Sequence, residues 1–116
     1  MEIEIAPVAK PRMTQRDRWA RRACVLRYFA FRDAFRPVMA ILKPLEGYSI
    51  TFIVPMPMSW SKKQKIAMDG EPHMSRPDID NFLKGVLDCL PEDKHIWKIQ
   101  MEKRWGLTGR ILINPI

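Results

Sequence analysis

The sequence predicts a mixed α+β domain, an α/β layer in which helices pack on a small sheet of about four strands. Three observations carry this expectation. Apolar residues alternate with period two at several places, longer stretches switch to helical spacing, and proline or glycine punctuates the boundaries. At 116 residues, the whole chain, 1–116, fits one domain with a core of its own.

Glu2-Ile3-Glu4-Ile5 alternates polar and apolar, a first strand that Pro7 and Pro11 bring to an end. A basic segment follows, carrying Lys10, Arg12, Arg16, Arg18, Arg21 and Arg22 with Trp19 among them. From about Ala23 to Leu42 the spacing is helical. Leu26, Ala30, Ala34 and Val38 share a face with Phe29 and Met39, and Pro37 is expected to kink this helix or split it. Tyr48 to Val54, β-branched and aromatic, reads as a buried strand closed by Pro55 and Pro57. Trp60 to Met68 reads as a short basic helix. The strongest helix begins near Asp78, where Ile79, Phe82, Leu83, Val86, Leu87 and Leu90 fall at i, i+3, i+4, i+7, i+8 and i+11. Trp97, Ile99 and Met101 then alternate with Lys98, Gln100 and Glu102 as a strand. Gly106 to Gly109 is a turn, and Ile111 to Ile113 completes a hairpin.

The formal net charge of +7 points to polyanionic partners, nucleic acid ahead of an anionic membrane surface. The longest uncharged run, Gly47 to Ser61, contains Pro55 and Pro57 and is too short to span a bilayer as a helix, so no membrane insertion is expected. Glu2, Glu4 and Lys10 break up the start, and no secretory signal is expected. Cys24 and Cys89 are few and far apart, and read as free thiols of a cytoplasmic protein. With His73 and His95 they fit no zinc-finger spacing.

Against this basic background five acids crowd into one stretch: Asp78, Asp80, Asp88, Glu92 and Asp93. Carboxylates on a phosphate-binding protein repel its ligand unless a divalent cation reverses the local sign. A cation held in that way beside phosphate suggests phosphodiester hydrolysis. If 78–90 is helical, Asp80, Lys84 and Asp88 form a ridge opposite the apolar stripe with Asn81 beside it. Asp78 falls at the helix start, and Glu92 and Asp93 follow its end. Hard cations such as magnesium take oxygen ligands of this kind, and Lys84 would bring positive charge to the transferring phosphate. A purely structural reading uses the same residues: Asp78 as N-cap, Asp80 and Asn81 in the dipole-favoured first turn, and Asp80-Lys84-Asp88 as an ion-pair ladder. A calcium loop is excluded, because Leu83 stands where glycine is required and Cys89 where a bidentate glutamate is required. No phosphate-cradling glycine loop exists, so no nucleotide cofactor is expected.

RPDIDNFLKGVLDCL (76–90), followed by EDKHIW (92–97) and KRWG (103–106), resembles the RusA family of Holliday junction resolvases, and more narrowly its compact phage and prophage members. KPRMTQRDRW (10–19), VLRYFAFRD (25–33) and PMPMSWSKKQK (55–65) resemble the same branch, so the likeness covers nearly the whole chain. It implies a RusA-like fold and a homodimeric, magnesium-dependent endonuclease that cuts four-way DNA junctions symmetrically in recombination and repair, with manganese able to substitute. Carried over residue by residue, the catalytic, metal-holding aspartates fall on Asp78, Asp80 and Asp93, and the active-site lysine on Lys84. Glu92 stands beside the third aspartate as a further ligand option. Asp88 matches a family acid read here, with Asn81, as supporting the ligands rather than joining them.

Lys10, Arg12, Arg16, Arg18, Arg21 and Arg22 are expected to contact phosphates, with Trp19 packing under them or stacking on an exposed base. Lys62, Lys63 and Lys65 form a second basic patch and, with Arg76 at the opening of the acidic element, are likewise expected to contact DNA. His73 reads as a polar loop residue and His95 as strand-start packing. Trp97 and Trp105 read as core, and the methionines, Met56 and Met58 among them, as core or dimer filling. Two other functions remain open at this point. One is a non-catalytic junction-binding or architectural protein, in which the acids are caps and ion pairs. The other is a metal nuclease of broader taste that cuts flaps or other branched DNA.

Overall fold

Strand Gly47–Pro55 lies at the heart of the computed structural model, which describes residues 1–15, 22–41, 47–90, 94 and 96–116. Among these residues the chain runs β1 (Glu2–Ile3), α1 (Ala23–Met39), β2 (Gly47–Pro55), α2 (Lys62–Met68), α3 (Ile79–Leu87), β3 (Lys98–Gly106) and β4 (Arg110–Pro115). The four described strands form one mixed sheet in the order β1-β4-β2-β3. β2 pairs parallel with β3 and antiparallel with β4, and β1 closes the far edge antiparallel to β4. This is the α+β architecture the sequence predicts. None of the described helices is long and apolar enough to cross a membrane.

Strand periodicity sorts the two faces. Tyr48, Ile50 and Phe52 of β2 are buried, and across the register Ile111 and Ile113 of β4 and Ile3 of β1 fall on the same side. α1 and α3 cover that face with Phe31, Phe35, Met39, Phe82 and Val86, and the rings of Phe52 and Phe82 stack 5.3 Å apart. The opposite face is polar apart from buried Ile53 near the strand end: Thr51 donates a 3.3 Å hydrogen bond to Glu102 across the parallel pair. A sheet with one face covered and one wet therefore carries the core on its helix side.

Four sequence expectations need correction. The first strand is shorter than expected, ending at Ile3 rather than Ile5. Helix α1 buries Val25, Tyr28, Phe31, Phe35 and Met39, whereas Leu26, Ala30 and Ala34 lie exposed. α1 carries two apolar stripes, and the aromatic one wins because each buried ring removes far more apolar surface from water than an alanine. Pro37 neither splits the helix nor ends it. It lies in the last turn, where the Ala40 amide still reaches the Arg36 carbonyl and the Ile41 amide the Val38 carbonyl. Finally, β3 and β4 are not a hairpin, because β2 lies between them.

The short connection from β3 to β4 must therefore cross the end of β2, and glycine makes the crossing possible. A Cβ on Gly106 would come 2.3 Å from the Ile53 Cγ2, and one on Gly109 would come 2.4 Å from the Ala6 Cβ and 2.8 Å from its Cα. Both positions need the missing side chain for close approach, not for an unusual dihedral.

Candidate nucleic-acid cleavage site

α3 starts where the sequence places it. Asp78 occupies the N-cap position with extended backbone, yet its carboxylate makes no capping hydrogen bond. The structural reading of Asp78 thus receives only its position, and the side chain stays exposed. Asp80 lies in the first turn, where the helix dipole favours an anion. Lys84 follows one turn later with its Nζ 3.5 Å from Asp80 Oδ2. Both side chains are about 60% exposed, so the pair is worth a few tenths of a kcal/mol at most and gives way readily to a phosphate.

Asp88 behaves differently. Two turns along α3 puts it about 12 Å from Asp80 along the axis, too far to share one ion. Its carboxylate instead accepts the Tyr28 hydroxyl from α1 and lies 2.7 Å from Lys10 Nζ. Burial alone would raise its pKa. The hydrogen bonds from Lys10 and Tyr28, with the Lys10 and Arg32 charges, outweigh that and hold it below the usual carboxylate value. Tyr28 moves the other way, raised first by burial and then by its bond to Asp88.

Lys10, expected to bind DNA, is thus engaged within the protein, and its backbone N–H also donates to the Asn81 carbonyl at 3.0 Å. These contacts lay the N-terminal segment along α3. Gly85 permits the approach, since a Cβ there would meet the Val8 carbonyl at 2.9 Å. Between segment and helix runs a cleft of ≈ 520 Å³ lined by Lys10, Pro11, Arg12, Met13, Asn81 and Lys84. A second cleft of ≈ 370 Å³ is lined by Arg76, Pro77, Asp78 and Asn81. Asn81 belongs to both, so the two clefts, each with an arginine in its lining, share the first turn of α3. Arg22 is exposed and donates from Nη2 to the Arg12 carbonyl at 2.6 Å. Lys62 and Lys63 lie exposed on α2, whose start is capped by Ser61 accepting from the Gln64 amide at 3.1 Å; Lys65 is half-buried on the same helix.

Asp93, Glu92, His95, Arg16, Arg18, Trp19 and Arg21 lie outside the described residues. Among the described residues, no three metal-ligating side chains gather. Of the expected ligands Asp78 and Asp80 are described, and these two exposed carboxylates suit a hydrated hard cation in donor chemistry.

Several residues escaped sequence reasoning. His73 is no plain loop residue: it is 3% exposed, its ring packs 4.1 Å from that of Trp105, and Trp60 flanks Trp105 at 4.7 Å. Burial first, and the Lys103 charge second, hold His73 below its ordinary pKa. Trp105 is core as expected, but Trp97 is 72% exposed because β3 begins only at Lys98. Met56 is buried and Met58 exposed. Lys103 stands in the apolar phase of β3, between Met101 and Trp105, and a lysine at that position was the legible signal that it serves something inside.

A family model described as endodeoxyribonuclease RusA matches residues 4–114. The class is that of hydrolases that cut within a DNA strand. The chain belongs to the RusA family, endonucleases of Holliday junctions that act on branched DNA. No curated protein and no solved structure matches it.

Proposed function

We propose that this chain is a magnesium-dependent Holliday junction resolvase that works as a homodimer and nicks four-way junctions symmetrically. The observation that carries the reading is the start of α3. Asp78 sits at the N-cap without capping, Asp80 stands exposed beside it, and Lys84 is one turn away. One carboxylate without a capping bond and one held only by an exposed ion pair, on a chain of charge +7, are what a cation-assisted phosphodiesterase needs.

Asp78, Asp80 and Asp93 would hold the magnesium ion, with Glu92 beside Asp93 as a further oxygen donor and manganese as a substitute. When bound, the ion supplies Lewis-acid polarisation of the phosphate and a nucleophilic water at neutral pH. The chain's own residues do the rest. Arg12 and Arg76 draw the strand into the two clefts, and Asn81 stands between them. The Lys84 ammonium leaves Asp80 and faces the phosphate, where it offsets negative charge as the P–O bond breaks. Two copies related by a dyad would present two such sites to the two-fold junction, so that paired nicks follow from symmetry.

The test is strand cleavage of a synthetic four-way junction beside a matched linear duplex, with magnesium, for wild type and Asp80→Asn. Paired nicks on the junction alone, lost in the variant while binding persists, are expected. Cleavage of flaps as fast as of junctions would reassign the substrate. Tight junction binding without cleavage in either protein would make the acids structural.

A further inference from the structure

β3 carries more than its pairing with β2. The segment before α3 runs back along its free edge: the Gly70 N–H donates to the Trp105 carbonyl at 2.9 Å and the Trp105 N–H to the Glu71 carbonyl at 2.9 Å. Pro72 bridges Arg104, and the His73 N–H donates to the Lys103 carbonyl at 3.0 Å. Arg104 adds a 2.8 Å bond to the Gly70 carbonyl, and the His73 ring lies on Trp105. As far as His73, the loop is held by backbone and by packing.

Beyond His73 that support stops. Met74, Ser75 and Arg76 are all exposed, Met74 to 88%, so no buried side chain pins them. Among the described residues, the anchoring of 74–77 to the sheet passes to one side chain. Lys103 Nζ donates to the Ser75 carbonyl at 2.5 Å and to the Pro77 carbonyl at 2.7 Å. These two carbonyls flank Arg76, and Pro77 immediately precedes Asp78. Lys103 reaches them from the apolar phase of β3, opposite Phe52 in the register, so the ammonium is carried by a strand paired along its length with central β2. Charge-assisted bonds to neutral carbonyls are stronger than backbone pairs, and an ammonium has donors enough for both.

We propose that Lys103 is a positioning residue for the cleavage site, fixing the Ser75–Pro77 turn so that the Asp78 carboxylate and the Arg76 guanidinium stand in register with Asp80 on α3. The Asp78 half of this rests on the metal-nuclease reading above; the holding of the turn does not. A residue that orients a ligand from behind typically governs affinity for the ion by about 10–100-fold without touching it.

The experiment compares Lys103→Met and Lys103→Arg with wild type, and repeats Lys103→Met on an Asp78→Asn background. Manganese affinity is read by calorimetric titration and loop order by hydrogen exchange of a peptide covering 74–79. Lys103→Met is expected to weaken manganese binding by about tenfold or more, and to strip exchange protection from that peptide while the core strands keep theirs. Lys103→Arg should restore most of both. With Asp78 already changed, Lys103→Met should add no further loss of affinity, because the ligand it positions is gone. Unchanged exchange would overturn the holding of the turn. Lost protection with unchanged manganese affinity would overturn the positioning of Asp78. A wild type that binds no manganese would sink the metal reading itself, and Lys103 would then stand or fall on the exchange result. Should Lys103→Met not fold, Lys103→Gln, a neutral donor, is expected to give smaller losses of the same two kinds; no loss of either overturns the proposal.

Discussion

The Asp88 carboxylate and the Lys10 ammonium lie 2.7 Å apart, and the same carboxylate oxygen accepts the Tyr28 hydroxyl. Three segments distant in sequence, the N-terminal strand extension, α1 and α3, meet at this one acid. The acid is thereby separated in role from Asp78 and Asp80, though all three belong to the same acidic stretch.

Asp88→Asn should therefore cost stability before it costs chemistry. About a third of each charged side chain still meets water, which screens the Lys10 contribution, so the main loss comes from the buried Tyr28 hydroxyl. The expected cost is about 1–2 kcal/mol. The pH signature follows from the two shifts. The depressed Asp88 carboxyl contributes stability that is full above the ordinary value of 3.8 and lost as pH falls through its lower folded value. The raised Tyr28 phenol contributes stability that is full below 10.0 and lost as pH rises towards its folded value. Urea titrations across pH should show both limbs in wild type and flatter limbs in Asp88→Asn. Identical profiles would mean that the carboxylate and phenol are not coupled.

Lys84→Ala should do the reverse. Its ion pair with Asp80 is exposed, so the melting temperature should hardly move, within about 0.5 kcal/mol. Loss of one preorganised positive group at a phosphoryl centre typically slows the chemical step by about 10²-fold. Single-turnover cleavage of junction saturated with protein separates this from binding. A variant that cuts at the wild-type rate would remove Lys84 from the reaction.

How far the sequence reveals this arrangement depends on how local each cause is. α3 is legible because its apolar series and its acids lie in one continuous stretch, 78–90, obeying one period. The face of α1 is not, because two apolar stripes compete and only the partners across the core, Phe52 and Phe82, decide between them. Strand order is hidden for a similar reason: Gly106 and Gly109 announce a turn equally well for a hairpin and for a crossing over β2. The partners that tie Asp88 into the fold, Lys10 and Tyr28, are distant along the chain, Tyr28 by 60 residues, and no local pattern marks them. Lys103 was readable as an anomaly in the strand phase, but its two acceptors are backbone carbonyls, which no residue pattern marks.

Gly85→Ala tests whether the N-terminal segment is seated on α3. Helix propensity alone favours alanine in a helix interior by about 1 kcal/mol. Here the new Cβ would stand 2.9 Å from the Val8 carbonyl, a backbone atom that can yield only if the segment lifts. The net effect expected is destabilisation of about 1–2 kcal/mol, with faster hydrogen exchange at the Lys10 amide, whose bond to Asn81 is the nearest casualty. A more stable Gly85→Ala protein would show that the segment does not lie where the cleft requires it.

Arg12 and Lys10 are two residues apart and both basic, yet they should respond to salt in different ways. Arg12 is exposed and lines the cleft that also holds Lys84, whereas the Lys10 ammonium is tied to Asp88. Each phosphate neutralised by a bound cation adds about 0.9 to the slope of log affinity against log salt on duplex DNA. Arg12→Ala should therefore weaken junction binding and reduce that slope by about one, with little change in stability. Lys10→Met should lower the melting temperature and leave the slope nearly intact, because its charge already has a partner. Titrating labelled junction with each variant in calcium, at three or four salt concentrations, measures both slopes without cleavage. If Lys10→Met lowers the slope as much as Arg12→Ala, the ammonium leaves Asp88 for phosphate when DNA arrives, and the segment moves on binding.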